Sequence, residues 1–226
     1  MSQPYLSIAA AALVAAGAGA AHAGTVRGTI RYAGTAPAPA KVAVRQDAHV
    51  CGKQPIYDES LRVGAAGGLA NAVVSIEGAK GAAKPATVTV DQQGCVYRPH
   101  VQTAAVGATL VVTNSDAVLH NVHAFHGEET MFNVAQPTKG MRFQRPLDEV
   151  GVVRVKCDAG HTWMSAYVVV FDHPYHAVTG EDGSFHIDGV PPGTYKVKVW
   201  HETLGSKTGT VTVGARGAAT FDLTWK

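Results

Sequence analysis

One short segment of this chain gathers residue types that bind a soft metal ion. Cys157, His161 and Met164 fall within eight residues and supply a thiolate, an imidazole and a thioether. The segment before them reads as a strand, on which Val153, Val155 and Cys157 point to the same side. The sulfur therefore faces the interior where the strand ends, and a short loop brings the other two side chains round beside it.

A second imidazole is available upstream, where His120 and His123 lie on a segment that runs from a polar turn into a strand. Because an odd number of positions separates them, the two rings point to opposite faces of a regular strand. One can join an interior metal, and the period alone leaves open which. Two imidazoles, a thiolate and a weak axial thioether are the ligands of a mononuclear copper site that transfers electrons. Zinc is the weaker alternative because zinc sites rarely use methionine.

The His-Asn-Val-His pair followed by Cys, His and Met resembles the cupredoxins, particularly plastocyanin and amicyanin, over residues 87–171. The resemblance implies that His120, the histidine directly followed by asparagine, is the ligand. It implies that Asn121 ties the ligand loop down through hydrogen bonds. It also implies that His161 lies near the surface and passes the electron. Trp163 then belongs either to an apolar docking patch or to the core.

The ligand loop departs from these relatives in its length. Three residues separate Cys157 from His161, whereas plastocyanin and amicyanin have two at this place and azurin has four. The ligand types and their order still match. The copper geometry and potential of any one subgroup are therefore not carried over.

Several functions fit these residues. The leading hypothesis is one mononuclear copper, held by His120, Cys157, His161 and Met164, that carries single electrons between periplasmic partners such as a c-type cytochrome or a dehydrogenase. The alternatives are a copper-binding or delivery protein, and a metal-free adhesion or scaffold module in which the four residues are ordinary core and polar side chains. An enzyme is not expected, because the chain has no His-Cys-His stretch, Gly-x-Ser-x-Gly elbow or His-Glu-x-x-His motif.

The last third of the chain has a resemblance of its own. The turn Glu181-Asp182-Gly183 and the later Pro191-Pro192-Gly193 are similar to those of carboxypeptidase regulatory-like, transthyretin-like β-sandwich domains. Segments 25–30 and 71–76 fit the opening elements of such domains. We therefore expect the cupredoxin unit (86–172) to sit inside, or against, a sandwich that the N-terminal β region (24–85) and the C-terminal domain (173–226) build together.

The elements that must position these residues are strands. Apolar residues recur with period two through most of the chain, and glycine and proline turns separate them. The sequence therefore predicts an all-β protein built of sandwiches, a cupredoxin Greek key and a smaller transthyretin-like or Ig-like one. The exception is Glu128–Lys139, which we expect to form an irregular loop or one short helical turn.

Residues 1–23 predict a signal peptide, with a short apolar stretch and a small-x-small cleavage site ending at Ala23. We therefore expect a periplasmic or secreted protein with no membrane span in the mature chain. An oxidising compartment favours a disulfide between Cys51 and Cys95, the alternative being two unpaired thiols. The formal net charge of +2 gives no indication of a nucleic-acid partner.

Overall fold

The computed structural model describes residues 23–36, 38–215 and 217–226, and nearly every element in them is a strand. The predicted signal peptide, apart from Ala23, lies outside the described residues. The all-β prediction is confirmed. Among the described residues there is one short α-helix, α1 (Ala48–Cys51), and one 3₁₀ turn, Ala65–Gly67. The strands are β1 (Gly24–Tyr32), β2 (Val73–Glu77), β3 (Thr87–Gln92), β4 (Tyr97–Arg98), β5 (Val101–Ala105), β6 (Ala108–Asn114), β7 (His120–His126), β8 (Glu129–Gln136), β9 (Arg142–Leu147), β10 (Gly151–Lys156), β11 (Ser165–Phe171), β12 (His176–Val178), β13 (Ser184–Val190), β14 (Gly193–His201), β15 (Gly205–Val213), β16 (Ala218–Thr220) and β17 (Leu223–Trp225).

Strands β3 to β11 form the first sandwich. One sheet has the order β5-β11-β10-β7-β8, and the other has the order β4-β3-β6-β9. Alternate residues of the two sheets meet in a shared apolar core, which includes Leu110 and Val112 from one sheet and Val122, Val155 and Val168 from the other. The period-two alternation of the sequence thus turns one face of each strand inward.

The remaining strands form the second sandwich, and both ends of the described chain contribute to it. Strand β1 pairs with β13, β16 and β17, while the facing sheet has the order β12-β2-β14-β15. Val26, Ile30, Ile76, Val197 and Val211 lie in its core. In the sequence, the strands of the first sandwich lie between β2 and β12. The residue boundaries of the predicted domains stay a prediction.

The two sandwiches meet through a small apolar cluster. Val73 of the second sandwich packs with Val101 and Val169 of the first. Tyr167 and Trp200 pack against this cluster, and their two rings meet edge to face. The contact joins the sheet that carries β10 and β11 to the sheet that carries β2 and β14. It therefore places the second sandwich against the strands that flank the ligand loop.

The expected irregular loop at Glu128–Lys139 is wrong. Most of this stretch is strand β8, which pairs antiparallel with β7 from His120↔Gln136 to His126↔Glu129. It is an edge strand whose residues are largely exposed or half-buried, so it lacks the apolar alternation that marks an inner strand. Its pairing with β7 supports the strand that carries His120.

Residues 40–58 form a cap over one end of the first sandwich. Backbone hydrogen bonds from Val42 N to Ile56 O and from Asp58 N to Ala40 O, both 2.9 Å, close its neck. Helix α1 lies at its tip, and the predicted disulfide between Cys51 and Cys95 is present and ties that tip to the sandwich. The cap thereby holds Asp47, the residue before α1, over the ligand loop.

Candidate metal centre

Strand β10 delivers the cysteine as the alternation predicts. Val153, Val155 and Cys157 are buried, while Arg154 between them is exposed. The chain then turns through Gly160, whose φ of +88° favours a residue without a side chain. The loop closes on itself, because Met164 N donates to His161 O (2.9 Å) before β11 begins.

The structure places His120, and not His123, with these residues. His120 is fully buried, and its Nδ1 lies 3.2 Å from Nδ1 of His161. Cys157 Sγ lies 3.7 Å from the same His161 nitrogen. His123 points to the opposite face, where it contacts Asp158 and Thr130. Strand alternation therefore puts one histidine of the pair inside. The sequence period predicts this, but it does not say which of the two histidines is the inner one.

The three donor atoms have the spacing of a first coordination shell. The ligand atoms of His120, Cys157 and His161 all lie within 4.8 Å of one another. Bonds of about 2.0 Å to nitrogen and about 2.3 Å to sulfur, at near-tetrahedral angles, separate two nitrogens by about 3.3 Å and nitrogen from sulfur by about 3.5 Å. The separations of 3.2 and 3.7 Å match these values. Met164 is buried in the core at the end of the same loop. The residues therefore fit one metal ion.

Two carboxylates hold the outer nitrogens of the imidazoles. His120 Nε2 lies 3.0 Å from Asp116 Oδ2, and His161 Nε2 lies 3.1 Å from Asp47 Oδ2. A carboxylate accepts a hydrogen bond, so each Nε2 carries a proton and donates it. In the neutral ring this leaves Nδ1 with a free lone pair, and both Nδ1 atoms face Cys157. Carboxylate partners of this kind fix the tautomer and the orientation of metal-ligating histidines.

The environment of Cys157 favours the thiolate. Burial raises the pKa of its thiol, but hydrogen bonds with His120 and His161 and from backbone N–H groups outweigh it and lower the pKa to about 6. Asn121 N is one of these donors, at 3.4 Å from the sulfur. Burial lowers the pKa of His120, but Asp116 and Cys157 raise it to about 9. Both shifts favour the charged forms, and the thiolate is the form that binds metals.

Asn121 links the ligand strand to the ligand loop. Its side-chain Oδ1 accepts from Asp158 N at 3.1 Å, and its backbone oxygen accepts from the Tyr97 hydroxyl at 2.6 Å. Asp158 directly follows the cysteine. The side chain therefore bridges β7 and the start of the ligand loop.

The predicted surface position of His161 is wrong, because the ring is fully buried. Asp47 covers its Nε2, and the disulfide lies beside it, with Cys51 Sγ 3.7 Å from the same nitrogen. Trp163 packs edge to face on the His161 ring at a centroid distance of 5.3 Å and is only half-buried. The indole, and not the imidazole, is therefore the group that joins this ligand to the surface.

Sequence reasoning missed both carboxylates. Asp116 lies four residues before His120, in the polar turn, so an i,i+4 carboxylate near a candidate ligand was a usable signal. It also accepts from Gly94 N and Cys95 N, at 2.9 and 2.8 Å. Asp47 lies 114 positions from His161. Nothing local in the sequence indicates that contact, which depends on the cap.

Comparison with known protein families bears out one of the two resemblances. Residues 151–226 match the carboxypeptidase regulatory-like domain family, which confirms that resemblance for this part of the chain. The match begins in β10 and so includes the ligand loop as well as the C-terminal strands. No curated protein sequence matches the chain.

Solved structures that resemble part of the chain include a purple cupredoxin, amicyanin and a copper-containing nitrite reductase. A purple cupredoxin from Nitrosopumilus maritimus is 25% identical over 37% of this chain and 99% of its own, with a TM-score of 0.33. The Cu(I) form of a methionine-to-alanine mutant of amicyanin is 23% identical over 43% of this chain and 98% of its own. The copper-containing nitrite reductase from Thermus scotoductus is 23% identical over 42% of this chain and 24% of its own. The latter two also have TM-scores of 0.33. At these scores the likenesses carry no inference, and the site depends on its own geometry.

Proposed function

We propose that this protein binds one copper ion through His120, Cys157, His161 and Met164 and carries single electrons between exported redox proteins. The observation that carries the proposal is the convergence of two Nδ1 atoms and a thiolate, at 3.2 and 3.7 Å, in a fully buried pocket. When bound, copper supplies a one-electron Cu(II)/Cu(I) couple.

The donor set favours copper over zinc. A thiolate and a thioether are soft donors that suit copper, and Met164 closes the ligand loop. Zinc sites prefer additional cysteine, histidine or carboxylate ligands and rarely use methionine. The nearby carboxylates of Asp47 and Asp116 are both engaged with Nε2 protons and so act on the imidazoles instead of joining the donors.

The burial and the rigidity of the ligands favour electron transfer over metal delivery. A delivery site must release its ion to a partner, and so needs ligands that a partner can reach. Here both imidazoles are fully buried, and carboxylates hold both at their outer nitrogens. Fixed ligands change little between two oxidation states, which keeps the reorganisation that accompanies each transfer small.

Trp163 gives this buried site a route to a partner. Its ring contacts His161 and is half-exposed, while its Nε1–H donates to Cys95 O at 2.8 Å and so fixes its orientation. We propose that partners dock at this indole. Aromatic rings with an apolar body and one satisfied polar atom are common at protein interfaces.

The proposed setting is the periplasm or the outside of the cell. Residues 1–23 predict export, and a disulfide such as Cys51–Cys95 persists in oxidising compartments. No helix in the part of the chain that the structure describes is long and apolar enough to cross a membrane. The proposed partners are a c-type cytochrome or an exported dehydrogenase, and the protein acts as their carrier and not as an enzyme.

The first test is a visible absorption titration of the mature protein with Cu(II), beside a Cys157→Ser variant. We expect one equivalent to produce a strong thiolate-to-copper band that the variant lacks. The protein should then cycle between Cu(II) and Cu(I) and retain the ion, and a Trp163→Leu variant should exchange electrons with a c-type cytochrome more slowly at an unchanged band. A colourless wild type would overturn the copper–thiolate site. A coloured protein that loses its ion on reduction would favour delivery instead.

A further inference from the structure

A buried histidine outside the ligand set holds the strand that follows Met164. His100 lies between β4 and β5 and is 7% exposed. Its Nδ1 lies 3.1 Å from Ser165 O, and its own backbone oxygen accepts from Tyr167 N at 2.8 Å. Ser165 is the residue directly after Met164. The start of β11 is therefore fixed on both sides of Ala166 by one residue.

The other nitrogen of His100 is held by the second sandwich. His100 Nε2 forms an ion pair with Glu202, in the turn between β14 and β15, and both side chains are 6% exposed. A carboxylate this deeply buried is costly unless it is paired. Burial lowers the pKa of His100, but the hydrogen bond and the charge of Glu202 outweigh it and raise the pKa. The protonated ring donates at both nitrogens, to Glu202 and to Ser165 O.

We infer that Glu202 and His100 are positioning residues for Met164, through which the second sandwich sets the properties of the metal centre. The inference rests on the proposed copper site. Glu202 orients the imidazole, the imidazole holds Ser165 O, and Ser165 sets where the chain leaves the ligand loop. An axial thioether is a weak and distant ligand, and the potential of such sites is tuned by it. Groups that hydrogen-bond to metal ligands, without contacting the metal, are known to tune metal sites.

The experiment replaces the buried pair without leaving a charge. The His100→Phe/Glu202→Leu double variant removes one positive and one negative charge, so the net charge near the centre is unchanged. Apolar groups of similar volume commonly replace a buried ion pair without loss of stability. Glu77→Gln is the control, because Glu77 belongs to the same sandwich and its partner, Lys196, lies toward the opposite end of β14 from His201.

The readouts are the thiolate-to-copper band and the ratio of Cu(I) to Cu(II) at a fixed solution potential. We expect the double variant to shift the band and to change the ratio by about threefold or more, which corresponds to about 28 mV at 59 mV per tenfold change. Glu202→Gln should move both readouts as well, while Glu77→Gln should leave both unchanged. A folded double variant with the wild-type band and ratio would overturn the inference. A wild type without any band would instead overturn the copper site itself.

Discussion

The two sandwiches share an architecture but treat buried polar groups differently. Among the described residues, the first sandwich buries a group of polar side chains in or near its metal end: Gln92, Asn114, Asp116, His120, Gln136 and His161. The second buries few, chiefly Ser75, Thr179 and His201, in a core of valine, isoleucine and aromatic side chains. The same strand geometry thus serves a chemical site in one unit and close apolar packing in the other.

The polar side chains of the first sandwich are linked, and this explains their burial. Asn114 Nδ2 donates to Val118 O and Gln136 O, at 3.0 and 2.8 Å, and Asn114 Oδ1 accepts from Asp116 N at 2.9 Å. The turn that leads into His120 is therefore held by hydrogen bonds at several points. A buried network in which the members have partners specifies one arrangement, which an apolar core of similar volume does less strictly.

Histidines show the same contrast in their acid–base behaviour. In the first sandwich, Asp116 and Cys157 overcome burial and raise the pKa of His120 to about 9. In the second, burial lowers the pKa of His176 and of His201 to about 4, and the charge of a neighbouring histidine adds to the effect. A carboxylate beside the ring thus raises the pKa of a buried histidine, whereas burial without one lowers it.

Removing the disulfide should give the largest effect, and should fall on the first sandwich. The Cys51→Ala/Cys95→Ala variant opens a link between residues 44 positions apart, which lowers the free energy of unfolding by about 4 kcal/mol on loop entropy. Denaturant unfolding of the metal-free protein measures this. Because the cap would loosen, we also expect faster loss of copper. A loss of stability below about 1 kcal/mol would show that the cap is held by its other contacts.

Truncating the apolar core of the second sandwich should lower stability but leave the metal centre unchanged. Ile76 is fully buried on β2, and Ile76→Ala should lower the free energy of unfolding by about 3 kcal/mol. The milder Ile76→Val change should cost about 1 kcal/mol. The thiolate-to-copper band of the folded variants should match the wild type. A shifted band would show that core packing of the second sandwich reaches the centre.

Acid should destabilise the second sandwich through His201. This ring stays neutral in the folded protein down to about pH 4, whereas in the unfolded chain it takes up a proton below about pH 6.5. The unfolded state binds more protons in this window, so the free energy of unfolding falls as the pH drops, by up to about 3 kcal/mol.

The test is a series of unfolding measurements between pH 4 and pH 6.5. His201→Asn can still accept the hydrogen bond from Thr203 N and should reduce the slope to the part that His176 contributes. His186→Asn is the control, because His186 is exposed on β13, and it should leave the slope as it is. Equal slopes in the wild type and His201→Asn would contradict this assignment.

Features that depend on local periodicity could be predicted from the sequence. Alternation on β10 put Cys157 inside, and the spacing of His120 and His123 put only one of them beside it. Edge strand β8 was missed because most of its residues are exposed or half-buried, so its sequence lacks the apolar alternation of an inner strand. The pairing of β1 with C-terminal strands was expected from the resemblance to carboxypeptidase regulatory-like domains and not from periodicity.

Contacts made by distant segments could not be predicted in the same way. The burial of His161 follows from a cap that lies more than 100 positions away in the sequence. The carboxylate that contacts the ring belongs to Asp47, and no sequence motif surrounds that residue. The family resemblance pointed the wrong way here, since it implied an imidazole near the surface. Asp47 and Glu202 act through folding of the whole chain, and no motif near the ligands marks either of them.

Removing the charge of the cap carboxylate should have a modest effect, confined to metal affinity. Asp47→Asn keeps the shape of the side chain but removes the charge that faces His161 Nε2, at 3.1 Å. Loss of one such partner weakens metal binding by about tenfold, or about 1.4 kcal/mol. Competition with a chelator of known affinity measures this in the Cu(II) protein.

Two further substitutions decide whether the carboxylate or the cap as a whole is responsible. Asp58→Asn changes the same charge at the exposed neck of the cap and should leave copper affinity at the wild-type value. Asp116→Asn should weaken binding more than Asp47→Asn, because Asp116 is the more buried of the two and also accepts from Gly94 N and Cys95 N. Equal affinity in the Asp47→Asn variant and the wild type would mean that the cap protects His161 only by covering it. A tenfold loss in the Asp47→Asn variant that Asp58→Asn does not share would mean that the cap, through its carboxylate, is part of the metal centre.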